Sequence, residues 1–137
     1  MKEAYVSYKI AKLLKEKCFD WFTYSYYTKD DVDKKPYFGI ENLCPGNWNG
    51  EVDEVNDLWF SAPTQQMACR WLREEYYIDV LPLVRHVNKF AGELPIKEYS
   101  YRIYDSEGNV RVSSRDWFRS YEKSIETALE YVLKNLI

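Results

Sequence analysis

The residue types that carry most protein chemistry are few in this chain and poorly spaced for it. Nucleophilic catalysis needs a base beside the nucleophile, and a single histidine, His86 in VRHVNKF, would have to serve one of three thiols, Cys18, Cys44 or Cys69. A cysteine-dependent enzyme built on such a pair is the weakest of the readings below, and a solvated or structurally bonded His86 is the simpler expectation. The thiols are 26 and 25 residues apart, which matches neither CxxC metal spacing nor a disulfide framework, so they are expected to be reduced and mostly buried. No GxSxG, HExxH, Walker A or GxGxxG pattern occurs.

DDVD at 30–33 could offer oxygen ligands to a hard cation. A calcium loop starting at Asp31 fails, because the position that needs glycine holds Pro36 and the twelfth position holds Asn42. A solvated acidic turn is the better reading. Asp53, Glu54 and Asp57 could supply a carboxylate pair, but nothing near them marks a substrate cleft. No catalytic, cofactor-binding or metal-ligating residue is therefore assigned, and no cofactor is expected.

The residues that remain are aromatic and basic. FDWFTYSYYT at 19–28 and YSYRIYD at 99–105 could stack bases if their rings were exposed beside cations, but the first has no interleaved Lys or Arg and the second has only Arg102. Arg70, Arg73, Arg102, Arg111, Arg115 and Arg119 could contact phosphate if they converged on one face. The last helix begins SYEKSIE, without the Lys-rich start by which double-stranded RNA-binding domains approach phosphate. Nucleic-acid binding is the alternative, not the leading, reading.

Three helices would position these groups. Ser7 can cap a helix over about 7–17 with Val6, Ile10, Leu13 and Leu14 on its apolar side. SAPTQ opens a second, with Pro63 suited to a first turn and Met67, Ala68, Trp71 and Leu72 on one stripe. Ser120 caps the third, whose stripe is Ile125, Ala128, Leu129, Val132, Leu133 and Leu136. Between them lie extended segments. Phe22, Tyr24 and Tyr26 share one strand face, expected to be inward, with Trp21, Thr23, Ser25 and Tyr27 opposite. Tyr99, Tyr101 and Ile103 share another, SEGN at 106–109 forms a hairpin turn into VRV at 110–112, and Pro82 in IDVLPLV at 78–84 marks an edge. The order α-β-(β)-α-β-β-β-α is an α+β layout, an antiparallel sheet with helices packed mainly on one face.

At 137 residues the chain fits a single domain, 1–137, large enough to fold without metal or disulfide. It is 46% apolar, 30% charged and 18% aromatic, with thirteen Tyr and five Trp. The aromatic share predicts a core of flat rings with polar rims. No apolar run reaches the roughly 20 residues of a membrane span and no secretory signal is visible, so a soluble cytoplasmic protein is expected. The net charge of -3 is uneven: six Lys against three acids over 1–29, two against eight over 30–57, and eleven Lys and Arg against eleven acids over 58–137. That balance lacks the basic bias of a phosphate-tracking protein.

The stretch 29–57 is long for a connection and is either a functional loop or hides a strand such as PYFGI at 36–40. Leu43, Cys44 and Trp48 would anchor it. If an interaction surface exists, Asn47, Trp48 and Asn49 with Trp59 offer rings beside amide donors, although Trp48 can equally plug the loop onto the core.

KLLKEKCF at 12–19 echoes RWLREEYY at 70–77, two helix ends that pass straight into strands. VSYKIAKLLKEKCF at 6–19, NWN at 47–49, SAPTQQMACRWLRE at 61–74 and YEKSIETALEYVLKNLI at 121–137 together resemble a group of small uncharacterised proteins of gut anaerobes and their phages. The resemblance spans nearly the whole chain and implies a shared fold and a phage or mobile-element origin, without implying an activity. Where that group has Gly after the first helix, this chain has Cys18, which predicts either a different helix end or local strain. The leading expectation is thus a non-enzymatic accessory domain that binds another protein or a second copy of itself.

Overall fold

The structure is a computed structural model that describes residues 4–29, 36–38, 45–50, 59–88, 92 and 94–137. Its elements are α1 (Tyr8–Glu16), β1 (Ser25–Thr28), β2 (Tyr37–Phe38), β3 (Trp59–Ser61), α2 (Gln65–Tyr76), β4 (Asp79–Val87), β5 (Ile96–Tyr104), β6 (Val110–Ser113) and α3 (Tyr121–Asn135). The fold is α+β in the expected order. The strands are shared between two antiparallel sheets, β2-β1-β3 and β4-β5-β6. β2 lies within PYFGI, and β3 is a short strand that periodicity alone does not reveal. The positions 30–33, 43, 44, 53, 54 and 57, which hold the acidic candidates and two proposed anchors, lie outside the described residues. No helix among the described residues is long and apolar enough to cross a membrane.

Each helix starts on a hydroxyl. Ser7 Oγ accepts from Ile10 N at 3.3 Å, Thr64 Oγ1 from Met67 N at 3.2 Å and Ser120 Oγ from Lys123 N at 3.2 Å, each satisfying a donor that the first turn leaves orphaned. Pro63 therefore sits just outside α2 instead of in its first turn, and its carbonyl accepts from Val6 N at 3.0 Å.

The helix ends explain the echo. α1 passes through Cys18 at φ 62 and α2 through Tyr77 at φ 56, both left-handed and neither glycine. Cys18 N then bonds Lys15 O at 3.0 Å and Phe19 N bonds Leu14 O at 3.0 Å, which closes α1 in the Schellman manner. At α2, Tyr77 N bonds Arg73 O at 3.2 Å and Ile78 N reaches Leu72 O at 3.3 Å. In both, the residue after the left-handed one, Phe19 or Ile78, is buried.

The core is one cluster in which α3 contributes Ile125, Ala128, Leu129, Val132 and Leu133, α1 contributes Ile10, Ala11 and Leu14, and α2 contributes Ala68, Trp71 and Leu72. α3 packs on β5 and β4 and touches both other helices. Tyr101 and Ile103 of β5 point into this layer, as the alternation predicts. At about 25 cal/mol per Å² of apolar surface, this shared stripe supplies the main drive for folding.

The first strand is a correction. Thr23, Ser25 and Tyr27 are the buried face, while Phe22 is 65% and Tyr24 49% exposed. The inner positions are occupied by small polar groups that bond to backbone: Thr23 Oγ1 donates to Ser25 O at 2.8 Å and Ser25 Oγ donates to Ala62 O. Only Tyr27 brings a ring inward, where its hydroxyl donates to Val6 O at 2.7 Å and Tyr8 meets its edge at 5.7 Å. Thr23, Ser25 and Ala62 are all fully buried, and the rings of Phe22 and Tyr24, on the alternate positions, turn outward.

A candidate partner surface on the first sheet

The NWN segment is held by its own amides. Thr23 and Gly46 exchange two backbone hydrogen bonds of 2.9 Å, bringing residues 45–50 alongside the start of β1. Asn47 Oδ1 accepts from Asn49 N at 3.1 Å, and Gly50 N bonds Asn47 O at 3.1 Å. A Cβ at Gly50 would stand 3.0 Å from that same oxygen, so a larger residue would have to push the turn back by a few tenths of an ångström. Asn49 then bridges two elements, accepting from Ser61 N at 2.9 Å and donating to Phe19 O at 3.1 Å.

Trp48 lies partly buried between them. Its indole N–H donates to Thr23 O at 2.9 Å and its backbone N–H to Ser61 Oγ at 3.0 Å. Its ring lies 4.5 Å from Tyr26, and Tyr26 stacks on Trp59 at 5.3 Å with 30° between the planes. Trp48 is therefore bonded at both its ends and plugs the loop onto the sheet. Trp59 is 38% exposed, and its ring is positioned by Tyr26 and Trp48. Of the four residues singled out from sequence, Asn47, Trp48 and Asn49 build the platform and Trp59 is presented on it.

Sequence reasoning missed Phe22 and Tyr24, which share the outer side of the strand with Tyr26. Both are exposed just before β1, as Trp59 is on β3. The signal available was the pair of small residues, Thr23 and Ser25, at the alternate positions.

The arginines divide. Arg70 and Arg73 on α2 pair with Glu74 at 2.8 Å and Asp79 at 3.0 Å, and Arg85 pairs with Glu98 at 3.1 Å while lying 4.2 Å over the Trp117 ring. Arg102, Arg111, Arg115 and Arg119 belong to β5, β6 and the segment that follows, and none has an ion-pair partner among the described residues. His86 is exposed on β4. Cys18 is exposed and Cys69 partly buried. Burial pushes the Cys69 thiol up to about 11, with Arg73 offsetting part of the shift, so the sulfur is a neutral thiol at pH 7 and a poor nucleophile. Among the described residues no group of three or more His, Cys, Asp or Glu could hold a metal ion.

No family model, no curated protein and no solved structure matches this chain.

Proposed function

We propose that this chain is a non-enzymatic protein-interaction domain whose contact surface is the outer aromatic face of the β2-β1-β3 sheet. The observation that carries the reading is the exposure of Phe22 and Tyr24 just before β1 and of Trp59 on β3, whose ring stacks on Tyr26 beside Trp48. Clustered exposed rings are disfavoured on a monomer unless something covers them, and aromatic anchors on a rigid base are the usual centres of binding energy. The acidic balance of 30–57 would bias the choice toward a basic partner. An accessory role in a phage or mobile element, with a host or element protein or a second copy of the chain as partner, agrees with this reading.

A photo-crosslinking residue at position 22, and separately at 24, tests it in cells that make the protein, with position 107 on the exposed β5–β6 turn as the control. A discrete adduct from 22 and 24 that is absent from 107, and is lost in Trp59→Ala, is the expected result. Equal labelling from all three positions, or none, would remove the reading. Sedimentation of the purified chain across concentration identifies whether the partner is a second copy.

Nucleic-acid binding is the second reading, favoured by the four arginines of β5, β6 and the segment after β6 that lack acidic partners. A salt titration against mixed-sequence DNA and RNA decides it, since phosphate contacts weaken steeply as salt rises. Binding that stays flat with ionic strength, or no binding at low salt, rejects it.

A further inference from the structure

Away from the aromatic face, a cavity of about 730 Å³ opens among the first turns of α2 and α3 and strand β4. Its size falls within the roughly 300–1,000 Å³ of small-molecule sites. Val80, Pro82 and Ile125 give it an apolar wall.

Its other side carries hydrogen-bond donors. Gln66 on α2 and Tyr121 and Glu122 on α3 line it, and their backbone N–H groups, the orphan donors of two helix N-termini, have no acceptor among the described residues. Arg70 and Arg73 line it as well. Each meets its own acid through Nε, Glu74 at 2.8 Å and Asp79 at 3.0 Å, and the Arg70 guanidinium also lies 5.8 Å over the Trp21 ring, while the terminal nitrogens of both groups have no hydrogen-bond acceptor among the described residues. The one acid of the lining is Glu122, whose carboxylate accepts from Ser120 Oγ at 3.0 Å.

Gln65 supplies an independent mark. It belongs to the cavity wall, it is 6% exposed, and its Nε2 donates to Glu122 O at 2.9 Å, which settles which end of the amide is which. Oε1 is then a buried acceptor with no donor, the only such side-chain atom among the described residues. Native proteins rarely leave one, because the desolvated oxygen recovers nothing for its lost water.

We propose that this cavity binds a small organic anion, a carboxylate or a phosphate ester on a short apolar body that also carries an N–H or O–H donor. The anionic group meets Arg70, Arg73 and the two helix N-termini, the body lies on Val80, Pro82 and Ile125, and the donor satisfies Gln65 Oε1.

Two thiols provide the readout. Cys69 lines the cavity, whereas Cys18 is exposed at the end of α1 and serves as an internal reference. The full chain is titrated with 4-hydroxybenzoate, 4-hydroxyphenyl phosphate and the neutral 4-hydroxybenzamide by ligand-observed NMR, while alkylation of each thiol is followed by mass spectrometry. At least one anion binds saturably, at least about tenfold more tightly than the amide, as expected where charge-assisted hydrogen bonds hold it. The bound anion slows Cys69 alkylation and leaves Cys18 unchanged. Arg70→Ala combined with Arg73→Ala weakens the anion without moving the melting temperature by more than a few degrees, since both side chains are largely exposed. A preference between the two anions assigns the ligand class. No saturable binding by either anion at millimolar concentration, equal binding of the amide, or binding that leaves Cys69 reactivity unaltered would overturn the proposal.

Discussion

In the β4-β5-β6 sheet, Tyr101 and Ile103 turn inward beneath α3, whereas beside the β2-β1-β3 sheet Phe22 and Tyr24 turn outward, although both stretches alternate rings with small polar residues. The difference lies in what waits on the inner side. α3 lays a continuous apolar stripe over β5, so a ring there gains contacts along its whole length. The inner side of β1 faces Ala62 and the start of α1 at close quarters, and Ser25 and Thr23 fit it because their hydroxyls find backbone acceptors. A ring goes where there is volume for it, and volume is decided by elements distant in sequence.

The comparison can be broken most forcefully at the closed sheet. Ile103→Ala is expected to cost about 3 kcal/mol in denaturant unfolding, because its site is fully buried and surrounded by helices that cannot collapse into the void. Phe22→Ala, the matched change on the open sheet, should cost less than about 0.5 kcal/mol. Similar losses in both would mean that the two faces do not differ as described.

Alkaline unfolding sharpens the same contrast. The Cys69 thiol ionises at about 11 in the folded chain against an ordinary value of 9.0. Between those values the unfolded chain has released its proton and the folded chain has not, so stability falls as pH rises, by roughly 2 to 3 kcal/mol for the full shift. Burial raises Tyr101 and Tyr121 in the same direction; a Cys69→Ser variant keeps the Tyr101 contribution and loses the part of the Tyr121 shift that the Cys69 charge supplies. The variant should therefore show a shallower decline from pH 9 to 11, and an unchanged slope would refute the assignment.

Trp48→Ala removes the indole hydrogen bond to Thr23 O and the ring beneath Tyr26, and a loss of roughly 2 kcal/mol is expected for a partly buried tryptophan. Trp59→Ala should leave the melting temperature nearly in place while abolishing crosslinks from position 22. If Trp48→Ala melts normally, the segment 45–50 is not the support described here.

The smallest effect has the opposite sign. Cys18→Gly relieves a left-handed residue whose side chain is exposed, and should stabilise the chain by up to about 1 kcal/mol, as glycine does at a Schellman position. Loss of stability would mean that the thiol makes a contact that offsets its backbone cost.

Much of the fold was legible because its signals are local. Ser7 and Ser120 cap helices where the periodicity starts, Asp105 accepts from Glu107 N and Asn109 N to shape the SEGN turn around Gly108 at φ 79, and the Tyr99–Tyr101–Ile103 parity is right for Tyr101 and Ile103. The site was half legible. Asn47, Trp48 and Asn49 stand out in the sequence, but their bonds to Phe19, Thr23 and Ser61 cross 12 to 30 positions and carry no periodic trace. Phe22 and Tyr24 were assigned to the wrong face because FDWFTYSYYT has rings on both parities, and only the hydroxyl acceptors at Ala62 and Ser25 break the tie.

Pro82 sits within β4, the outermost strand of its sheet, opposite Tyr101. A proline has no amide hydrogen to lend, so any chain that tried to extend the sheet along this border would meet a missing rung near its middle. The border along β4 is thus guarded against runaway edge-to-edge stacking.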